Sequence, residues 1–248
     1  MRLILDNARR LQYLEAMGID VWISKTLTQP AQSPPSATES YSLDTPGPSV
    51  ESDLPEVINW KSLQNEVAVC TKCSLCETRN RTVFGSGNKN ADWMLIGEAP
   101  GQNEDLQGKP FVGSAGLLLT EMLRAIGLAR EEIFITNIVK CRPPGNRNPK
   151  PDEIESCRDY LQRQRLLIKP KIILAVGRIA AQTLLKTDEP LSKLRGKLHR
   201  LDNTPVVVVY HPAYLLRSLL DKRKAWVDLT FAVQTYKNIE GHYAGIIR

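Results

Sequence analysis

The sequence has no long apolar run and only three histidines, and no export leader is expected of it. No stretch approaches the roughly 20 consecutive apolar residues that a membrane-spanning helix needs. The first ten residues carry Arg2, Arg9 and Arg10, yet no apolar block ending in a small-residue cleavage site follows. The expected setting is therefore cytosolic, at the nucleoid if the source is bacterial. Acidic residues are also in deficit, with 27 Asp plus Glu against 33 Lys plus Arg and a net charge of +6. That balance favours a polyanionic partner, because Lys and Arg displace counterions from phosphate backbones. In a reducing compartment structural disulfides are unexpected, so five cysteines point to metal or redox chemistry. A hydrophobic content of 42% in 248 residues suits one well-buried domain with an appendage.

Leu5, Ala8, Leu11, Leu14 and Met17 recur at helical spacing, which predicts an amino-terminal helical element over residues 1–27. Residues 28–55 are rich in Pro, Ser and Thr and poor in aliphatics. They cannot bury enough surface to offset their ordering entropy and are expected to be a disordered linker. The folded domain is expected over 56–238, with 239–248 as a tail. Within it, apolar strand-like runs at 93–96, 132–139, 171–176 and 205–210 alternate with helical patterns at 116–126, 151–167, 178–185 and 225–236. Continuous apolar strands separated by helices predict an α/β fold with a parallel central sheet covered on both faces. GEAPG, TNIVKCRPPGNRNP and YHPAYLLR each follow a predicted strand, where α/β proteins gather their chemistry.

Cys70, Cys73 and Cys76 form C-x2-C-x2-C, with Cys141 and Cys157 far downstream. A C-x2-C knuckle turns two thiolates toward one centre, and zinc or an iron–sulfur cluster would use it equally well. Cys76 is followed by Glu77 where a bacterial ferredoxin run would continue toward a further Cys and Pro. Spacing does not say which member of the triplet is spare.

The segments Cys70-x2-Cys73, GEAPGQNED (97–105), GKPFVGSAG (108–116), ITNIVKCRPPGNRNP (135–149), Glu153-x3-Cys157 and HPAYLLR (211–217) occur in that order. Together they resemble the type-4 uracil-DNA glycosylases. The resemblance spans roughly residues 57–229. It implies a three-layer α/β/α fold around a short parallel sheet and a [4Fe–4S] cluster on Cys70, Cys73, Cys141 and Cys157, with Cys76 outside the ligand set. It also implies an enzyme that removes uracil from DNA, and a monomer is expected. The cluster in such proteins is structural or DNA-positioning and does not cleave the bond.

A glycosylase must flip its target base out of the stack into a pocket. The resemblance places Glu98, Ala99, Pro100 and Glu104 of the first motif around uracil and lays Phe111 against the ring. The Asn137 amide can accept from uracil N3–H and donate to O4, whereas cytosine presents the opposite pattern at both positions. His211 is expected to hydrogen-bond O2 as charge develops on the leaving base; His199 and His242 lie outside any motif. Ala99 stands where the best-known uracil glycosylases carry an aspartate, a departure the type-4 pattern shares. Glu98 is therefore expected to orient water or stabilise the sugar cation, and Glu104 to border the pocket near uracil C5 or cap a helix. Lys140, Arg142 and Arg147, around a proline-stiffened loop, are expected to contact phosphate, and Arg217, Lys222, Arg223 and Lys224 to extend that face. Tyr214, Leu215 and Leu216 are expected to be exposed and to wedge into the duplex.

Two other classes compete. An iron–sulfur redox protein would show reversible reduction and no activity on uracil DNA. A DNA-binding module with structural zinc would be colourless and indifferent to uracil. Neither needs Phe111, Asn137 and His211 in glycine- and proline-framed loops. The amino-terminal element, tethered by its linker, is expected to dock a replication or repair protein or its own domain.

Overall fold

The computed structural model describes residues 59–244, with side chains as far as Ile239. The expected amino-terminal helix, the linker and the last four residues lie outside the described residues.

Helix α1 (Trp60–Ala68) starts where the Asn59 side chain accepts from the Ser62 N–H at 2.8 Å, satisfying an orphan donor of the first turn. The short strand β1 (Ser86–Gly87) and strand β2 (Trp93–Gly97) follow, then α2 (Gln102–Gln107), α3 (Ser114–Ala125) and β3 (Phe134–Asn137). Next come α4 (Pro151–Ile168), β4 (Ile172–Val176), α5 (Arg178–Leu185) and the single turn α6 (Leu191–Leu194). Strands β5 (Leu198–Leu201) and β6 (Thr204–Val209), the short α7 (Pro212–Leu215) and the long α8 (Lys222–Ala244) complete the order. Pro151 opens α4 at a position whose N–H would be unpaired anyway, while Glu153 reaches back to accept from the Lys150 N–H at 2.7 Å.

The six strands form one sheet in the order β1-β3-β2-β4-β6-β5. The inner four are parallel, as the apolar runs predict. The two edges add what the expected parallel centre did not include: β1 and β5 are antiparallel to their neighbours. β1 has two residues and no apolar signal. β5 alternates exposed and half-buried positions because only one face meets the core, and it turns into β6 through Asp202 in the left-handed region (φ 52°).

Alternate residues of the inner strands serve opposite faces. Met94, Ile96, Ile173, Ala175, Val206 and Val208 join α1, α4 and α5 in one core, while Trp93, Leu95, Ile172, Leu174, Val207 and Val209 join α3 and α8 in the other. Both faces are covered, hence three layers, and each buried Val, Leu or Ile contributes about 1.5–3 kcal/mol. All four inner strands end on the same edge of the sheet. There the loops after β2, β3 and β6 meet.

Candidate active site

Gly97 and Asn137 pair across β2 and β3 in register, so the last residue of each strand reaches the same point. A Cβ on Gly97 would stand 2.4 Å from Asn137 Oδ1 and 2.7 Å from the Phe111 ring; the glycine is what lets those two side chains share one floor. Asn137 is 1% exposed, and its Oδ1 is buried without a hydrogen-bond partner. Such a group is costly unless something binds it.

Phe111 adopts φ 52°, a strained value for an aromatic residue, and stays largely buried. Its carbonyl lies where a Cβ on Gly116 would come within 1.9 Å, so the first turn of α3 can slide beneath it only as glycine. The loop is pinned from the other side by Glu104. One carboxylate oxygen accepts from the Val112 and Gly113 N–H groups at 2.9 and 3.1 Å, and the other from Gly101 N–H at 3.1 Å. Arg130 adds a bond to the Pro110 carbonyl at 2.5 Å.

His211 caps α7: its Nδ1 accepts from the Ala213 N–H at 3.2 Å. An accepting Nδ1 places the proton on Nε2 in the neutral ring. Burial, with Arg217 nearby, lowers its pKa to about 4, so the ring is neutral across the physiological range. The Phe111 and His211 rings lie 5.6 Å apart, tilted by 31°. Burial raises the Glu98 carboxyl, opposed by Arg178. With its amide turned so that both ends are satisfied, Asn148 bridges that pair, donating to Glu98 Oε1 at 3.1 Å and accepting from Arg178 Nη2 at 3.2 Å.

These residues line a cleft of about 460 Å³ that brings together Glu98, Ala99, Pro100, Glu104, Phe111, Asn137, Arg147, His211, Tyr214 and Arg217. Asn146 and Asn148 line it too. Sequence reasoning quoted them only within a motif, and their polar type before Arg and Pro was the available signal. Arg178, two residues beyond β4 and outside the lining, carried none.

Two expectations are corrected. Lys140 is 1% exposed and cannot touch a phosphate; its ammonium is bonded inside the protein. Leu215 is also 1% exposed, because it is the inward residue of α7 and packs with the core beside α3 and α8. The exposed apolar side chains of this region are Tyr214, Leu216, Leu219 and Leu220. Arg142 lies outside the cleft lining, its Nε donating to Asn146 Oδ1 at 2.7 Å. Arg147 lines the cleft while its guanidinium grips both oxygens of Glu153 at 2.6 and 2.9 Å, which holds that carboxyl below the usual range.

The segment that leaves the cleft at Asn137 reaches a second cavity at Lys140 and Cys141. Cys70, Cys73, Cys141 and Cys157 line it together with the basic side chains of Lys72, Arg79 and Lys140 and no carboxylate; Cys76 is not part of its wall. Arg79 donates to Cys141 Sγ at 3.2 Å and to the Cys70 carbonyl at 2.7 Å, tying two of the thiol-bearing segments together. Among the described residues, no three His, Cys, Asp or Glu side chains converge on a point that would hold a single metal ion.

The sheet and its cleft, with an aromatic floor, an unpartnered amide and a neutral imidazole, define an α/β/α protein with a recessed polar site at the carboxyl ends of its strands. The chain belongs to the uracil DNA glycosylase superfamily, whose family model matches residues 84–232. It is 46% identical over 159 residues to a type-4 uracil-DNA glycosylase of Archaeoglobus fulgidus, covering 61% of this chain and 80% of the relative. It is 47% identical over 167 residues to one from Saccharolobus solfataricus (64% and 77%) and 41% identical over 158 residues to one from Thermotoga maritima (63% and 82%).

Proposed function

We infer that this protein excises uracil from DNA by hydrolysing the N-glycosidic bond, leaving an abasic site. The observation that carries this reading is the buried, unpartnered Asn137 Oδ1 on the floor beside Phe111. Uracil N3–H is the donor it lacks, and O4 accepts from the same amide. Cytosine offers an acceptor and a donor in the opposite places, which leaves both partners unpaired; a site built this way discriminates by roughly 10⁴-fold or more.

Phe111 supplies the stacking face. His211, neutral and protonated on Nε2, donates to O2 and stabilises the negative charge that grows there as the C1′–N1 bond breaks. Glu98, held by Asn148, orients in its carboxylate form the water that attacks C1′ or offsets the positive charge on the sugar. Glu104, fully engaged with backbone N–H groups, shapes the pocket by fixing the Phe111 loop. Arg142, Arg147 and Arg217 face the phosphates, and the exposed Tyr214 and Leu216 enter the space the flipped base vacates.

The thiol cavity fits an iron–sulfur cluster. Cluster ligands stand farther apart than those of one tetrahedral ion, and four thiolates on iron carry net negative charge that the three surrounding cations offset. Cys70, Cys73, Cys141 and Cys157 would hold it. When bound, a cluster supplies a cross-brace and a redox-capable centre; the residues of the cleft account for bond cleavage. The protein acts as a monomer, and residues 1–27 serve as a tethered element for a replication or repair protein.

The test is incubation with an end-labelled uracil oligonucleotide followed by alkali. Strand cleavage at uracil is expected; its absence in a brown, iron-loaded preparation would sink the reading.

A further inference from the structure

Lys140 lies between the two cavities. Its side chain lines the wall of the thiol cavity, one residue before Cys141, and is closed off from solvent. Its three ammonium protons find three acceptors: Thr136 Oγ1 at 2.7 Å, the Asn137 carbonyl at 2.7 Å and Gln164 Oε1 at 2.8 Å. None of these is a carboxylate. Thr136 and Gln164 each donate onward to the Phe84 carbonyl, at 3.0 and 2.8 Å, so α4, β3 and the loop before β1 are joined through one point. The Lys140 carbonyl in turn accepts from Val83 N–H at 2.7 Å.

The segment 136–141 therefore has a polar lock inside it. Asn137 faces the cleft with its amide and turns its carbonyl back toward the ammonium. Cys141 faces the thiol cavity. Beyond Asn137 the chain has left the β3 ladder, held by Ile138 N–H to the Gly97 carbonyl at 2.9 Å and Val139 N–H to the Glu98 carbonyl at 3.2 Å. Without the ammonium, the Asn137 carbonyl becomes a buried acceptor without this donor and Gln164 Oε1 keeps only the Thr136 hydroxyl at 3.2 Å, so this short segment must shift to satisfy the carbonyl.

We propose that Lys140 is a positioning residue that fixes the peptide of Asn137, and with it the amide that reads the base, against the wall of the thiol cavity. The inference rests on the uracil-glycosylase reading of the cleft. It assigns Lys140 neither to phosphate contact nor to the reacting atoms. Its consequence is mechanical: disturbing the thiol cavity at Cys141 reaches the uracil reader through four residues of chain and one buried ammonium.

Lys140→Met keeps the length and apolar stem of the side chain and removes its donors. The expected result on uracil duplex is a kcat lowered by about 10- to 100-fold, since misplacing a recognition group by a fraction of an ångström costs on that scale. Iron content and cluster absorption are expected to stay at the wild-type level. The affinity for undamaged duplex and its salt dependence stay unchanged, whereas a phosphate contact would reduce the salt slope by about one. In an Asn137→Ala background, adding Lys140→Met is expected to cost no further activity, because the two act through one amide. A wild-type kcat, a reduced salt slope, or losses that multiply in the double variant would each overturn the proposal. If Lys140→Met does not accumulate as folded, iron-loaded protein, Thr136→Val and Gln164→Leu decide, since each removes one acceptor. Each should lower kcat several-fold with iron content intact, and unchanged kcat in both overturns the proposal. Wild-type protein on the same oligonucleotide is the control: inactivity there sinks the glycosylase reading itself, while an active wild type beside an undiminished Lys140→Met sinks only this one.

Discussion

The cleft and the thiol cavity sit on opposite sides of one short segment and solve opposite electrostatic problems. The cleft mixes carboxylates with cations, holds an imidazole neutral and leaves one amide oxygen unsatisfied. The thiol cavity has three cations, no acid and a guanidinium already bonded to sulfur. A site that must discriminate between bases keeps specific hydrogen-bonding capacity free for its ligand. A site that must retain a permanent anionic group surrounds it with countercharge in advance. The family resemblance implied that the cluster is a brace and the cleft the chemistry, and these electrostatics fit that division.

The comparison breaks most sharply at Asn137. Asn137→Ala should lower uracil excision by about 10³–10⁴-fold while leaving the protein brown, because it removes readout without touching the thiol wall. Retention of near-wild-type rate, measured in single turnover, would transfer base reading elsewhere. His211→Ala comes next, at about 10²–10³-fold in kcat, the usual loss of one charge-stabilising donor.

The pH profile separates His211 from Glu98. His211 is lowered to about 4, so it stays neutral as pH falls from 8 to 5 and contributes no acid limb there. Glu98 is raised above the ordinary carboxylate value, so activity falls as pH drops through that raised pKa and the base becomes protonated. Glu98→Gln should lower the plateau and abolish the limb; a limb that persists in that variant would assign it to another group.

On the other side of the comparison, Cys157→Ser should lose cluster iron and Cys76→Ser should keep it, read by absorption and iron assay. Equal losses would put Cys76 back among the ligands. The smallest effects test the reassigned loop. Leu215→Ala should destabilise the fold by about 2–5 kcal/mol, as a buried leucine does. The exposed Leu220→Ala should change stability by no more than about 0.5 kcal/mol. Denaturant midpoints distinguish the two.

Much of the cleft was legible because its residue types are scarce and framed by glycine and proline. Phe111, Asn137 and His211 each stand at or just beyond a strand end or in a glycine-bounded loop, and three of the four inner strands carried motifs where they end. The edge strands were not legible: a two-residue strand has no periodicity, and β5 reads as polar because one of its faces meets water. Arg178 was invisible for a different reason. It meets Asn148 and Glu98 only because β4 ends beside β2, a neighbour relation that sequence order does not contain.

By itself the sequence determined the alternation of strands and helices, the cysteine inventory and the motif order that points to uracil chemistry. Local pattern and residue chemistry suffice for those. Tertiary structure alone decided that Lys140 turns inward while Arg147 meets the cleft, and that Leu215 is core and Leu216 is not. Those outcomes depend on which residues the folded chain brings within a few ångströms, and on whether a charge finds water or a partner there.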